Sequence, residues 1–177
     1  RQMCIRDRLY TNPDGSISLD IVDEALSDIN EVNNKDNIIL LRSTMIPGST
    51  THFSKKYPKL NLVFNPEFLT ERSAKFDFIN QARFILGGDK TYTSKVTKLF
   101  RWRFGKSIPV VETNYETAEL VKYMNNCFNA TKISFMNEMK QGADKLGVNW
   151  CDAINGFISD GRIGNSHLDV PGHDGYM

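Results

Sequence analysis

Two short stretches of this sequence carry side chains that could do chemistry together. In Asn65-Pro66-Glu67-Phe68-Leu69-Thr70-Glu71, two carboxylates stand four residues apart around a pair of apolar residues. Were this stretch one helical turn, both acids would project to the same side, and burial would push their pKa up toward the range of a general base. The spacing alone is met more often in an exposed loop with two solvated acids. Further on, Lys122 and Asn126 lie four residues apart in a long helical pattern, with Asn129 on the same flank, so that a cation and an amide donor can converge on one ligand. Such a pair could stabilise an oxyanion as its charge develops, although helix geometry by itself favours a solvated polar face. Thr44 is a third candidate, which local chemistry alone reads as a turn or helix-capping residue.

The other reactive residue types exclude more than they suggest. His52, His167 and His173 share no metal-ligand spacing, so no metal site is expected. Cys4, Cys127 and Cys151 are odd in number and form no CxxC pair, which argues against a disulfide framework or a zinc knuckle. Cys127 and Cys151 fall inside helical patterns and are expected to pack as small hydrophobes. No G-x-G-x-x-G occurs, and Gly87-Gly88 reads as a strand-end turn. With 22 basic against 21 acidic residues and a net charge of +1, the chain has no long-range field to recruit nucleic acid or an anionic membrane, and neither is expected as a partner. No apolar run reaches the ~18 to 20 residues that span a bilayer, and the first residues lack the apolar core of a signal peptide, so a cytoplasmic location is expected.

The elements that must position these residues follow from periodicity. The 177 residues, 40% hydrophobic and 24% charged, are those of a soluble globular chain of one domain or slightly more. Residues 1–8 show no strand or helix period and read as an assembly scar. A helix is expected from near Leu19 to Asn33, then continuous apolar strands at 37–41, 60–64, 83–86 and 108–111, with helices at 50–57 and 91–104 between them. Strand and helix alternating over short connections predict an open α/β sheet, with ligands beyond the carboxyl ends of the strands. Thr44 and Asn65-Pro66-Glu67 follow two of those ends. From Tyr115 one long helix runs to Leu146, followed by a helix at 150–158 and a loop-rich tail, with a domain boundary expected near Thr113. On the long helix Val121, Met124, Phe128, Phe135 and Met139 fall within about 60° of one another, an apolar stripe meant for a core or an interface.

Taken in order, R-S-T-M-I-P-G-S-T (42–50), N-P-E-F-L-T-E-R-S-A (65–74), A-R-F-I-L-G-G (82–88), A-E-L-V-K-Y-M-N-N-C-F-N-A-T-K-I-S-F-M-N-E (118–138) and D-G-R-I-G (160–164) resemble the nucleotide-sugar 6-dehydrogenases of the UDP-glucose/GDP-mannose dehydrogenase family, most closely the members that act on UDP-glucose. The resemblance implies the second half of a Rossmann-like NAD-binding domain at 9–112, then a central helical dimerisation and substrate domain at 113–177. It implies oxidation of a UDP-sugar at C6, UDP-glucose to UDP-glucuronate, in two hydride transfers to NAD through a cysteine-bound thiohemiacetal and thioester. By the same resemblance Lys122 and Asn126 hold the C6 oxygen, and Glu67 assists thioester hydrolysis. Thr44 orders a water and, with Glu71, lies near the nicotinamide. Phe68 and Leu69 contact the sugar nucleotide through backbone, Arg162 reaches the substrate site, and the long helix, 114–146, pairs two copies.

The family's dinucleotide fingerprint, nucleophilic cysteine and UDP-binding last domain find no counterpart, so the chain reads as an internal fragment. A GDP-mannose or UDP-N-acetyl-hexosamine dehydrogenase, or a non-catalytic dimerisation module, are the competing readings.

Overall fold

A computed structural model of the chain describes residues 12–33, 37–69 and 73–170. They divide into two compact units, the first ending at Tyr123 and the second beginning at Met124. The first contains α1 (Asp20–Val32), β1 (Ile38–Leu41), α2 (Ser49–Lys56), β2 (Asn61–Phe64), α3 (Ala74–Ile79), β3 (Phe84–Gly88), α4 (Lys90–Phe104), β4 (Val110–Thr113) and the first turns of α5 (Tyr115–Leu146). One sheet of order β1-β2-β3-β4 runs through it.

Alternation along the strands explains why they read as continuous apolar runs. Leu41, Leu62, Phe64 and Ile85 enter a core with Val22 and Leu26 of α1, Phe53 of α2 and Ala118 of α5. Their neighbours Val63, Phe84 and Leu86 enter a second core with Val96 and Phe100 of α4. Because helices cover both faces of β2 and β3, these two strands have no solvent side to mark with polar residues, whereas Val111 and Glu112 of β4 are exposed. Aromatic packing tightens the second core, with the Phe84 ring 4.2 Å from Phe100 and 5.0 Å from Phe104. Asp89 caps α4 by accepting from the Thr91 amide at 2.7 Å. Lys56 and Tyr57, at the end of α2, both donate to the Asp23 carboxylate and fasten α2 to α1.

The sheet departs from a uniformly parallel one. β1 pairs parallel with β2 and β3 with β4, but β2 and β3 pair antiparallel through Val63–Gly88 and Phe64–Gly87. Among its described residues the segment between them holds only the six-residue α3, which periodicity did not reveal and which buries none of its residues, so no described helix crosses the sheet face to turn the chain back parallel.

The second unit contains the rest of α5, α6 (Trp150–Ile158) and a loop to residue 170. Asn149 caps α6 through the Cys151 and Asp152 amides. Met136, Ala143 and Leu168 are its buried apolar residues, whereas the expected stripe beyond Val121, which packs on the first core, lies open, with Met124 62% and Phe128 65% exposed. Cys127 and Cys151 are also exposed, correcting the expectation of packing: a position inside a helix does not decide which face of it meets a neighbour, and theirs meet none. No helix among the described residues is long and apolar enough to cross a membrane.

Gly87 marks the closest approach of α5 to the sheet. A Cβ there would lie 2.7 Å from Ala118 Cβ and 2.8 Å from the Asn114 carbonyl oxygen, whereas one at Gly156, inside α6, meets nothing within 4 Å. Gly87→Ala should therefore cost about 1–3 kcal/mol in urea denaturation, while Gly156→Ala should be neutral or stabilising by about 0.5–1 kcal/mol.

Candidate active site

The parallel register of β1 and β2 sets Leu41 beside Phe64, so Arg42 and Asn65 emerge together at the carboxyl ends of the two strands. Asn65 is buried; its amide N–H donates to the Leu41 carbonyl at 2.7 Å and its Nδ2 to the Ile85 carbonyl at 2.9 Å. Arg42 spans the pair, donating from Nη1 to Asn65 Oδ1 at 2.7 Å and from Nε to the Glu67 carboxylate. Residues 65–69 are irregular, so the single helical turn imagined for this stretch does not form there; Glu71 and its neighbours Thr70 and Arg72 lie outside the described residues. Glu67 is instead a half-exposed carboxylate oriented by a guanidinium.

Lys122 comes to the same place from α5. It is only 9% exposed, its ammonium donates to the Glu67 carbonyl, and it stands 5.2 Å from the centroid of the Phe68 ring. The Arg83 guanidinium lies 4.8 Å from that ring. Burial draws the Lys122 pKa below the ordinary lysine value, with the negative charge of Glu67 partly opposing the shift. The solvated polar face suggested by spacing is thus overturned at Lys122, because the helix turns this residue toward the strand ends.

A buried acid holds α5 in that orientation. Glu119, 0% exposed, accepts at Oε2 from the Gly48 amide at 2.6 Å, and at Oε1 from the Thr50 amide at 2.8 Å and the Thr50 hydroxyl at 2.6 Å. One turn earlier, the Thr51 hydroxyl donates to Glu116 at 2.5 Å and holds the carboxyl below the usual range. The cap of α2 is therefore Gly48, with φ 99°, not Thr44, and the helix carries no acid of its own in its first turn. That missing acid, with two glutamates three apart on a later helix, is the signal in the sequence that could have disclosed the contact.

Of the other expected residues, Thr44 lies half-buried just past β1, between Arg42 and the fully buried Met45, and Leu69 lies half-buried after Phe68. Asn126 and Arg162 belong to the second unit. Asn126 is exposed; Arg162, 89% exposed, pairs through Nη2 with Asp160 at 2.5 Å, while Lys132 holds the adjoining loop by donating to the Gly164 and Ser166 carbonyls at 2.9 and 2.5 Å. No group of His, Cys, Asp and Glu among the described residues could hold a metal ion.

For a dinucleotide the fit is partial. The α2 N-terminus, which in such a fold could seat a phosphate, is filled by Glu119. Ser43 and Thr44, half-buried past the end of β1, carry hydroxyls that could hydrogen-bond an uncharged group such as a ribose or carboxamide but supply no positive charge for a pyrophosphate.

Residues 10–103 match the NAD binding domain of the UDP-glucose/GDP-mannose dehydrogenase family, and residues 116–175 match that family's central domain. The UDP-glucose 6-dehydrogenase of Rickettsia prowazekii is 35% identical over 167 residues, covering 91% of this chain and 38% of that protein. The solved UDP-glucose dehydrogenase of Pyrobaculum islandicum superimposes with a TM-score of 0.77 at 30% identity, over 89% of this chain and 38% of the other. A GDP-mannose dehydrogenase of Pseudomonas aeruginosa, at 21% identity, shares the fold with a TM-score of 0.78 over 92% of this chain and 40% of its own. The chain thus spans about two-fifths of the length of these proteins.

A buried ammonium leaves a signature in the pH dependence of stability. The folded-state pKa of Lys122 is lowered, so between that pKa and 10.5 the unfolded chain binds more protons and stability rises with pH. The stability difference between the parent protein and Lys122→Met should move in the parent's favour as pH is raised through this alkaline window. Parallel curves from denaturation at each pH would show that the ammonium is solvated.

Proposed function

The chain belongs to the UDP-glucose/GDP-mannose dehydrogenase family, and from that premise we propose that Thr44, Glu67, Phe68 and Lys122 line the site at which the whole protein oxidises the C6 hydroxyl of a nucleotide sugar to a carboxylate. The observation that carries this reading is the meeting of the Lys122 ammonium with the backbone of Glu67 at the carboxyl end of β2. Two NAD molecules, bound in turn, would each accept one hydride, and Thr44 and Glu71 are the residues proposed to hold the nicotinamide end.

Lys122 stabilises negative charge on the C6 oxygen. Its lowered pKa suits the role, since a poorly solvated ammonium gains most from a developing anion. Asn126, one turn further along α5, is proposed as the second donor to that oxygen. Glu67 acts as general base toward the water that hydrolyses the cysteine thioester, and the Arg42 fork fixes its direction. Phe68 and Leu69 present backbone groups to the sugar nucleotide, and Arg162 reaches the substrate from the D-G-R-I-G loop. UDP-glucose is the proposed sugar nucleotide, in keeping with the names of several relatives over 30% identical; GDP-mannose and UDP-N-acetyl-hexosamines in a substrate panel are its competitors.

The Rossmann-like NAD-binding domain is proposed to end near Thr113, with α5, α6 and the loop after them forming a dimerisation and substrate domain. The exposed Met124, Phe128, Phe135 and Met139 stripe supports pairing of two copies along α5, since apolar side chains this open on one face gain from burial against another chain.

In the protein that carries this chain, Lys122→Ala should lower kcat about 10² to 10³-fold with little change in substrate KM. Glu67→Gln should slow hydrolysis about 10² to 10⁴-fold, so that acyl-enzyme accumulates in intact-protein mass spectra of quenched turnovers. Unchanged turnover in both would overturn the assignment. Phe128→Lys should shift sedimentation toward the monomer, and an unaltered dimer would remove α5 from the interface.

A further inference from the structure

We propose that Glu119 is a positioning residue for Lys122: its carboxylate, seated on the N-terminal amides of α2, sets the rotation and height of α5 and so holds the ammonium at the carboxyl end of β2. This rests on the reading of Lys122 as the donor to the C6 oxygen.

Glu119 does not itself touch the substrate. It is 0% exposed, and both carboxylate oxygens are engaged by donors of α2 and its cap. Its position on α5 is what matters. It lies three positions before Lys122, about 4.5 Å along the axis and about 60° around it, so fixing one side chain fixes the origin of the other.

The apolar contacts of α5 cannot do this alone. Gly87 against Ala118 sets how near the helix comes to the sheet, but such packing is non-directional and tolerates a turn about the axis. Three hydrogen bonds to two oxygens of one carboxylate do not. A rotation by one residue, about 100°, would carry the Lys122 side chain away from the Glu67 carbonyl. The seat also reaches the segment that carries Thr44, because Gly48 ends the β1–α2 connection and Thr50 stands in the first turn of α2. One buried acid thus ties the β1–α2 connection to the helix that presents the Lys122 ammonium.

The test is a double-mutant cycle on kcat and KM in the protein that carries this chain, with nucleotide-sugar-dependent reduction of NAD as the assay. Glu119→Gln keeps the size and loses the charge that accepts the third donor; it should lower kcat by about 10-fold with the KM for NAD within about 2-fold. In a Lys122→Ala background it should change kcat by less than about 2-fold, because no ammonium remains to be placed. Thr50→Val removes a single hydroxyl donor; it should act in the same direction by about 2 to 5-fold and show the same non-additivity. It carries the cycle should Glu119→Gln not fold. A loss of thermal stability with kcat intact, or an equal fall in kcat in both backgrounds, would overturn the positioning role. Intact turnover in Lys122→Ala alone would overturn the role of Lys122 first, and this inference with it.

Discussion

A carboxylate with no access to water is tolerable only if donors replace the water it has lost. At Glu119 the replacements are the amides and hydroxyl at the start of α2, and the need is mutual, because the first amides of a helix also lack partners of their own. This exchange joins residues 69 and 71 positions apart in the chain. It ties the first turns of α5 to the start of α2, and the Thr51 hydroxyl on Glu116 and the Tyr115 hydroxyl, donating to the Leu62 carbonyl at 2.8 Å, add further directional ties about one turn earlier.

From that anchorage follows the chemistry at the strand ends. A lysine placed there loses hydration, and the loss is only partly offset by a backbone carbonyl, a nearby aromatic face and the charge of Glu67. The Arg42 fork supplies the counterpart on the sheet, tying a buried amide and a half-exposed carboxylate into one unit. Both arrangements exist because β1 and β2 run parallel and end side by side, leaving polar residues to gather where the apolar runs stop. The same geometry explains why the α2 N-terminus is closed to phosphate: its donors already serve a carboxylate of the chain.

Elsewhere on α4 and β4 a similar solution recurs in milder form. Burial works against the charge of Glu112, yet the hydroxyls of Thr93, Ser94 and Thr97 more than offset it and hold its carboxyl below the usual range. Hydroxyl residues on the inner face of a helix thus bind an acid on the neighbouring strand, and the fold uses carboxylates as directional ties between its layers.

What the sequence determined by itself is whatever local periodicity encodes. Apolar runs of four or five residues located the strands, the bounds of α5 and α6 followed from helical spacing, and the short connections with polar strand ends indicated an α/β sheet with a site on its rim. Thr44, Glu67 and Lys122 were legible as candidate residues, and the ordered motifs were legible as a family. Tertiary structure alone decided the antiparallel pairing of β2 with β3, the absence of a helical turn at residues 65–69, the exposure of Cys127 and Cys151, and the burial of Lys122 and Glu119. Periodicity reports which side chains share a face, a matter of a few residues. Whether a charged side chain on that face is solvated depends on donors and acceptors that arrive from distant segments, and only folding brings those together.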